Sequence, residues 1–254
     1  MKPQKLLKLA ILTLWLGWLA LLPGTFIAIV VTGQSQWNRF WWMSSVLLSL
    51  AAWTNGFLCR RSGLGLFAVL IAVGMSFGTL ADIYGAFSVI RFTEPLAMII
   101  PLFSLGPFAY IGGMLSVPNR LRLSQRSLWK KTLGAFIALY SLMGLGLWMV
   151  LVYPSNDLPH MHWPVAFYTL VLSGAAAVMA TVACLDRRFL VVGTGGVLFF
   201  VSDAFLAVRL FQNNWHNIGD LCWITYGIGQ MLIVYGAIWS SSCDNSVSAS
   251  WRTQ

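Results

Sequence analysis

The sequence predicts an all-α integral membrane protein, a bundle of eight transmembrane helices in one domain over residues 1–240, with a short, polar, disordered tail over 241–254. Composition, run length and charge placement each point there. Of 254 residues, 58% are hydrophobic and only 9% charged, whereas a soluble domain carries about a quarter charged residues to face water. The apolar runs are long enough to cross about 30 Å of hydrocarbon, and little sequence remains for a separate soluble domain. Thirteen of the sixteen Lys and Arg fall on one side of the bundle when the helices are threaded in order.

The first run, 6–31, follows Lys2, Lys5 and Lys8. It is too long for the apolar core of a signal peptide and lacks a small-residue cleavage site, so it reads as a retained anchor, kinked at Pro23-Gly24. The second, 41–58, opens on Trp41-Trp42, and the third, 64–88, carries GMSFGTLADIYGAFSVI. The fourth, 96–116, contains FSLGPFAYI; the basic loop SVPNRLRLSQRSLWKK then leads to the fifth, 132–153. The sixth, 163–184, is WPVAFYTLVLSGAAAVMA at its core. The seventh, 189–210, contains GGVLFFVSDAFLAV; its GTGG at 193–196 lacks the Lys of a phosphate loop and reads as a close-packing surface. The eighth, 220–240, contains ITYGIGQMLIVYGA.

With the amino terminus in the cytoplasm, Lys2, Lys5, Lys8, Arg60, Arg61, Arg120, Arg122, Arg126, Lys130, Lys131, Arg187, Arg188 and Arg252 lie inside, and Arg39, Arg91 and Arg209 outside. This is the positive-inside pattern of a multi-pass protein of the cell membrane, or of the inner membrane in a bacterium, with both termini cytoplasmic. Topology thereby accounts for the net charge of +9, so neither nucleic acid nor a specific lipid head group is needed to explain it. Cys59, Cys184, Cys222 and Cys243 offer neither an outer-face disulfide nor metal-ligand spacing.

Asp82 and Asp203 break the pattern, because they lie inside apolar runs. A carboxyl there costs at least about 2.5 kcal/mol on the gentler insertion scales, which makes it a functional-site candidate. Positions three, four, seven and eight apart share a helix face. Asp82 shares its face with Gly74, Gly78 and Gly85, and Asp203 shares its face with Gly195 and Gly196. Small residues let helices approach closely in lipid, so both carboxyls are expected to point into the bundle, in its outer half, toward one cavity. No Lys or Arg stands mid-span to neutralise them. The bland reading makes each Asp an interhelical hydrogen-bonder; the sharper one gives one carboxyl a proton and leaves the other without, as acid/base hydrolysis requires. Tyr226 and Gln230, four apart on the last helix, suit either orientation of a substrate oxygen or an interhelical bond.

These stretches resemble the YhhN family of membrane lysoplasmalogenases. GGVLFFVSDAFLAVRLF and LCWITYGIGQMLIVYGA are similar to its carboxy-terminal Ser-Asp and Tyr-x-x-x-Gln motifs, SFGTLADIYG to its Gly-Asp motif, and WPVAFYTLVLSGAAAVMA to its Pro-Val-x-x-Tyr span. The resemblance covers residues 40–240. Ala81 replaces the usual Gly, Pro107 a common His, and Trp41-Trp42 stands near an absent Lys-Pro. It implies catalytic Asp82 and Asp203, with Tyr226, Gln230, Ser202 and Tyr110 binding substrate. It further implies hydrolysis of the vinyl-ether bond of a lysophospholipid to a fatty aldehyde and a glycerophospho head group, with no cofactor and no metal.

Two other readings stand beside it. His160-x-His162, with His216, Asp157 and Asp220, is a weak pattern for a zinc site. A proton-coupled carrier or lipid-binding protein would also use two intramembrane aspartates, and each Asp falls in the third span of a four-span half.

The charge pattern predicts that a reporter fused after Gln254 is active only when it matures in the cytoplasm. Activity confined to the outer side would overturn the orientation.

Overall fold

A computed structural model describes residues 3–32, 41–88, 96–117, 126–156, 158–212 and 218–250. Lys2, Arg39, Ile90, Arg91, Arg120, Arg122, Asp157, His216 and Arg252 lie outside them. The described residues form eight α-helices: α1 Pro3–Thr32, α2 Trp41–Cys59, α3 Gly65–Ser88, α4 Leu96–Ser116, α5 Arg126–Leu151, α6 His162–Leu185, α7 Leu190–Phe211 and α8 Ile218–Ser250. Two boundaries differ from expectation. α5 starts at Arg126 rather than 132, and α8 runs on through 241–250, which was expected to be disordered. Neither stretch contains Pro or Gly, so a helix already nucleated extends through it one hydrogen bond at a time. α1 is unbroken through Pro23.

Seven of these helices are long and apolar enough to cross a membrane. The exception is α2, where Ser44, Ser45, Ser49, Thr54 and Asn55 dilute the apolar run. Ser44, Ser45 and Asn55 are buried, so this polarity faces protein.

Helices α3, α4, α6, α7 and α8 close a ring, each packed on the next and α8 back on α3. α2 lies in the groove between α3 and α8, α1 packs outside α2, and α5 packs outside α6. The small-residue faces set these approaches. A Cβ on Gly195 would come within 2.7 Å of the Gly229 carbonyl oxygen and 2.8 Å of the Ile233 nitrogen, so α7 and α8 meet backbone to backbone. At the turn between α6 and α7, Asp186 accepts from the Arg188 backbone and guanidinium, closing to 2.6 Å. Partial burial pushes the Asp186 carboxyl up, but Arg188 outweighs it and holds the group below its usual range. Ser240 of α8 donates to the Arg188 carbonyl at 2.9 Å, tying the last helix to this turn.

Gly195→Ala is predicted to lower stability by about 1–3 kcal/mol, the usual cost of overpacking, read as a lower unfolding temperature in detergent. Gly134→Ala on α5, where nothing lies within 4 Å of the new Cβ, serves as the control that leaves it unchanged. Equal behaviour of the two variants would contradict the backbone contact.

Candidate functional site

Asp82 is 5% exposed, and a carboxyl so buried needs donors. It has two on the same oxygen: Ser45 of α2 donates to Oδ2 at 2.5 Å, and Tyr226 of α8 donates to Oδ2 at 2.9 Å. Ser45 is set by its own backbone, whose carbonyl accepts from Thr79 at 3.0 Å. Gly78, one turn before Asp82, makes room for this arrangement, since a Cβ there would lie 3.2 Å from the Tyr226 hydroxyl. A further turn back, a Cβ on Gly74 would strike the Tyr110 ring at 2.4 Å. Tyr110 of α4 uses that space to donate to Gln230 Oε1 at 2.7 Å, deep in the bundle.

Asp203 is half-buried on α7 and accepts at Oδ2 from the Tyr168 hydroxyl of α6. Both carboxyls lie within electrostatic range of Tyr168 and of Cys222. Asp203 and Tyr168 line a cavity of about 80 Å³ walled by α4, α5, α6 and α7. That is room for a few water molecules or a stretch of alkyl chain, one water needing roughly 10–15 Å³ on this measure. The rest of its wall is almost wholly apolar and includes Ile99, Ile100, Phe103, Leu172, Phe200 and Trp148.

Asp82 does not line this cavity, and neither do Tyr226, Gln230, Tyr110 and Ser202. The expectation of one cavity faced by both carboxyls is therefore met by Asp203 alone. Phe103, a wall residue, packs edge-on against Tyr226 with ring centroids 6.0 Å apart, and Phe199 packs on Tyr226 at 5.7 Å. Tyr226, the second donor to Asp82, is thus packed by two aromatic rings. Ser202 is wholly buried and donates to the Phe199 carbonyl at 2.7 Å, beside Asp203.

Ser45, Tyr168 and Phe103 were not singled out as site residues from the sequence. Tyr168 stood in the quoted Pro-Val-x-x-Tyr stretch, the one signal that marked it. Ser45 sits among several serines on α2, and Phe103 is one Phe among 16, so neither had a distinguishing pattern. No group of three or more metal-type side chains forms among the described residues. Of the histidine pattern, His162 packs against Tyr153 and Phe211, and Asp157 and His216 lie outside those residues. Cys59, Cys184 and Cys222 are in no disulfide.

The model of the YhhN family matches residues 38–237, a span that begins just before α2 and includes every residue of this site. No curated protein and no solved structure matches the chain.

Tyr110→Phe leaves the buried Gln230 oxygen without its donor, and is predicted to cost about 1–3 kcal/mol of stability. Tyr153→Phe, at a side chain 59% exposed, is predicted to be neutral. Thermal unfolding of the two variants side by side checks both.

Proposed function

The chain belongs to the YhhN family, and from that premise we propose that it is an integral-membrane hydrolase that cleaves the vinyl-ether bond of lysoplasmalogen-type lysolipids. All eight helices cross the membrane in this reading, both termini are cytoplasmic, and the carboxyls lie toward the outer side. The observation that carries the reading is a carboxyl, Asp203, on the wall of an otherwise apolar cavity, with a second carboxyl within electrostatic range of the same tyrosine. A lipid tail suits the apolar wall, and the bond to be cut needs acid at one point along it.

The chemistry uses one water and three proton transfers, to the β-carbon, from the attacking water, and from the hemiacetal hydroxyl to the departing oxygen. A protonated carboxyl gives its proton to the β-carbon of the vinyl ether; the double-bond pair forms the new C–H bond, leaving an oxocarbenium ion. Negative charge on the partner carboxylate stabilises that cation, as in glycoside hydrolysis. Water adds to the cationic carbon and loses a proton to a carboxylate. The hemiacetal hydroxyl then passes its proton to the departing oxygen, the C–O bond to glycerol breaks, and a fatty aldehyde and a free hydroxyl on the glycerophospho group result. Tyr226, Gln230, Ser202 and Tyr110 act in this scheme by holding the carboxyls and the helices around them, since their hydroxyl and amide groups bond to protein.

A second reading has its own support. Each carboxyl stands on the third helix of a four-helix half and takes a hydroxyl from the second helix of that half, an arrangement that also suits a proton-coupled carrier. Aldehyde release separates the two, because a carrier leaves its cargo intact.

Purified protein is predicted to release aldehyde from members of a lysolipid panel containing vinyl ethers. Asp82→Asn and Asp203→Asn keep shape while removing the titrating group, and each is predicted to lower turnover by roughly a hundred- to ten-thousand-fold in a folded protein. Well-folded Asn variants that keep most of their turnover would sink the mechanism.

A further inference from the structure

The two halves of the chain repeat one arrangement. α3 packs against α2 and α4, and α7 packs against α6 and α8; α2 reaches across to α8, and α6 reaches across to α4. Each carboxyl takes a hydroxyl donor from the second helix of its own half. Ser45 lies 37 residues before Asp82, and Tyr168 lies 35 residues before Asp203.

The equivalence fails at the helix contributed by the other half. On the Asp82 side α8 supplies Tyr226, whose hydroxyl is the second donor to Oδ2. On the Asp203 side α4 presents Ile99, Ile100 and Phe103, none of which carries a donor, and open space remains between them and the carboxyl. Asp203 also has two hydroxyls, Tyr168 and Ser202 of its own helix, but it faces open space as well, whereas Asp82 does not line this cavity. Phe103 belongs to both, as a wall of the open site and as packing for the tyrosine that fills the closed one.

We propose that Asp203 and Tyr168 are the pair that contacts the ligand, and that Asp82 is a positioning residue, closed behind Tyr226 and Phe103, which never touches it. The inference rests on the hydrolase reading and divides its labour unequally. Asp203 gives its proton to the β-carbon and, as carboxylate, recovers one from the attacking water, so a single carboxyl in contact balances both transfers. Tyr168 keeps its own proton throughout. Its hydrogen bond to Oδ2 orients the carboxyl toward the cavity, and Asp82 acts on the developing cation through space, with Tyr226 holding it in place.

Dicyclohexylcarbodiimide is the probe, because it adds to a protonated carboxyl from within the apolar phase and leaves an acylurea that mass spectrometry locates. In mildly acidic buffer the intact protein is expected to be labelled at Asp203 and not at Asp82. Phe103→Ala, which removes the shared wall, is expected to bring Asp82 into reaction. Labelling of Asp82 in the wild type at the rate of Asp203, or no labelling of Asp203, overturns the proposal. In the kinetic arm, Tyr168→Phe is expected to lower kcat by roughly ten- to a hundredfold, the worth of a hydrogen bond to a charged group, with KM little changed and the acid limb of the pH profile displaced. A Tyr168→Phe protein that still labels at Asp203 yet keeps the wild-type kcat and pH profile also overturns it. The labelling arm needs no turnover. A protein that labels only at Asp203 but releases no aldehyde from any lysolipid refutes the hydrolase reading and leaves the open and closed sites standing.

Discussion

Two carboxyls set into hydrocarbon-facing helices dictate the rest of this molecule. A carboxyl removed from water without donors is too costly to keep, so each one recruits hydroxyls, and each takes at least one from another helix. Asp82 draws in α2 through Ser45 and α8 through Tyr226. Asp203 draws in α6 through Tyr168. In a membrane, where apolar packing between helices gains nothing over contact with lipid, such bonds and close small-residue approaches are what choose neighbours. Those bonds tie α3 to α2 and α8, and α7 to α6, among the helices that pack together.

Space for the donors comes from missing side chains. Gly74 and Gly78 lie on the face of α3 that leads to Asp82, and the volume they leave is occupied by the rings of Tyr110 and Tyr226. A stripe of small residues therefore does two jobs here. On α7 it brings one backbone against another; on α3 it admits a large polar side chain from across the bundle. The second use gives the site its depth, because Tyr110 meets Gln230 a full layer beneath Asp82.

Much of this was legible before any coordinates. Eight helices fall where apolar runs predict them, and Asp82, Asp203, Tyr226, Gln230 and Tyr110 all prove to be buried or half-buried polar groups with partners. What a sequence cannot carry is adjacency. Periodicity says which residues share a face, and nothing in it says that α2 lies against α8, so Ser45 had no reason to stand out from Ser44 or Ser49. The same gap misled the expectation of one shared cavity. Depth along each span put the carboxyls at similar levels, but whether both line one cavity depends on packing among α4, α7 and α8. The polar dilution of α2 was visible as composition, and only its burial shows that the polarity is turned inward.

The order in which the chain is made gives the Tyr226 bond another meaning. Asp82 and its first donor are 37 residues apart, but the second donor comes 144 residues after it, and Gln230 comes 120 after Tyr110. Both long-range bonds are completed by α8, which is synthesised after the helices it bonds. Of these partners, the amino-terminal half itself supplies Ser45 for Asp82 but no carboxamide for Tyr110. Helix α8 supplies both partners, so the amino-terminal half cannot complete these bonds before α8 is made. A chain truncated before Tyr226 would lack both the second donor to Asp82 and the carboxamide that accepts from Tyr110.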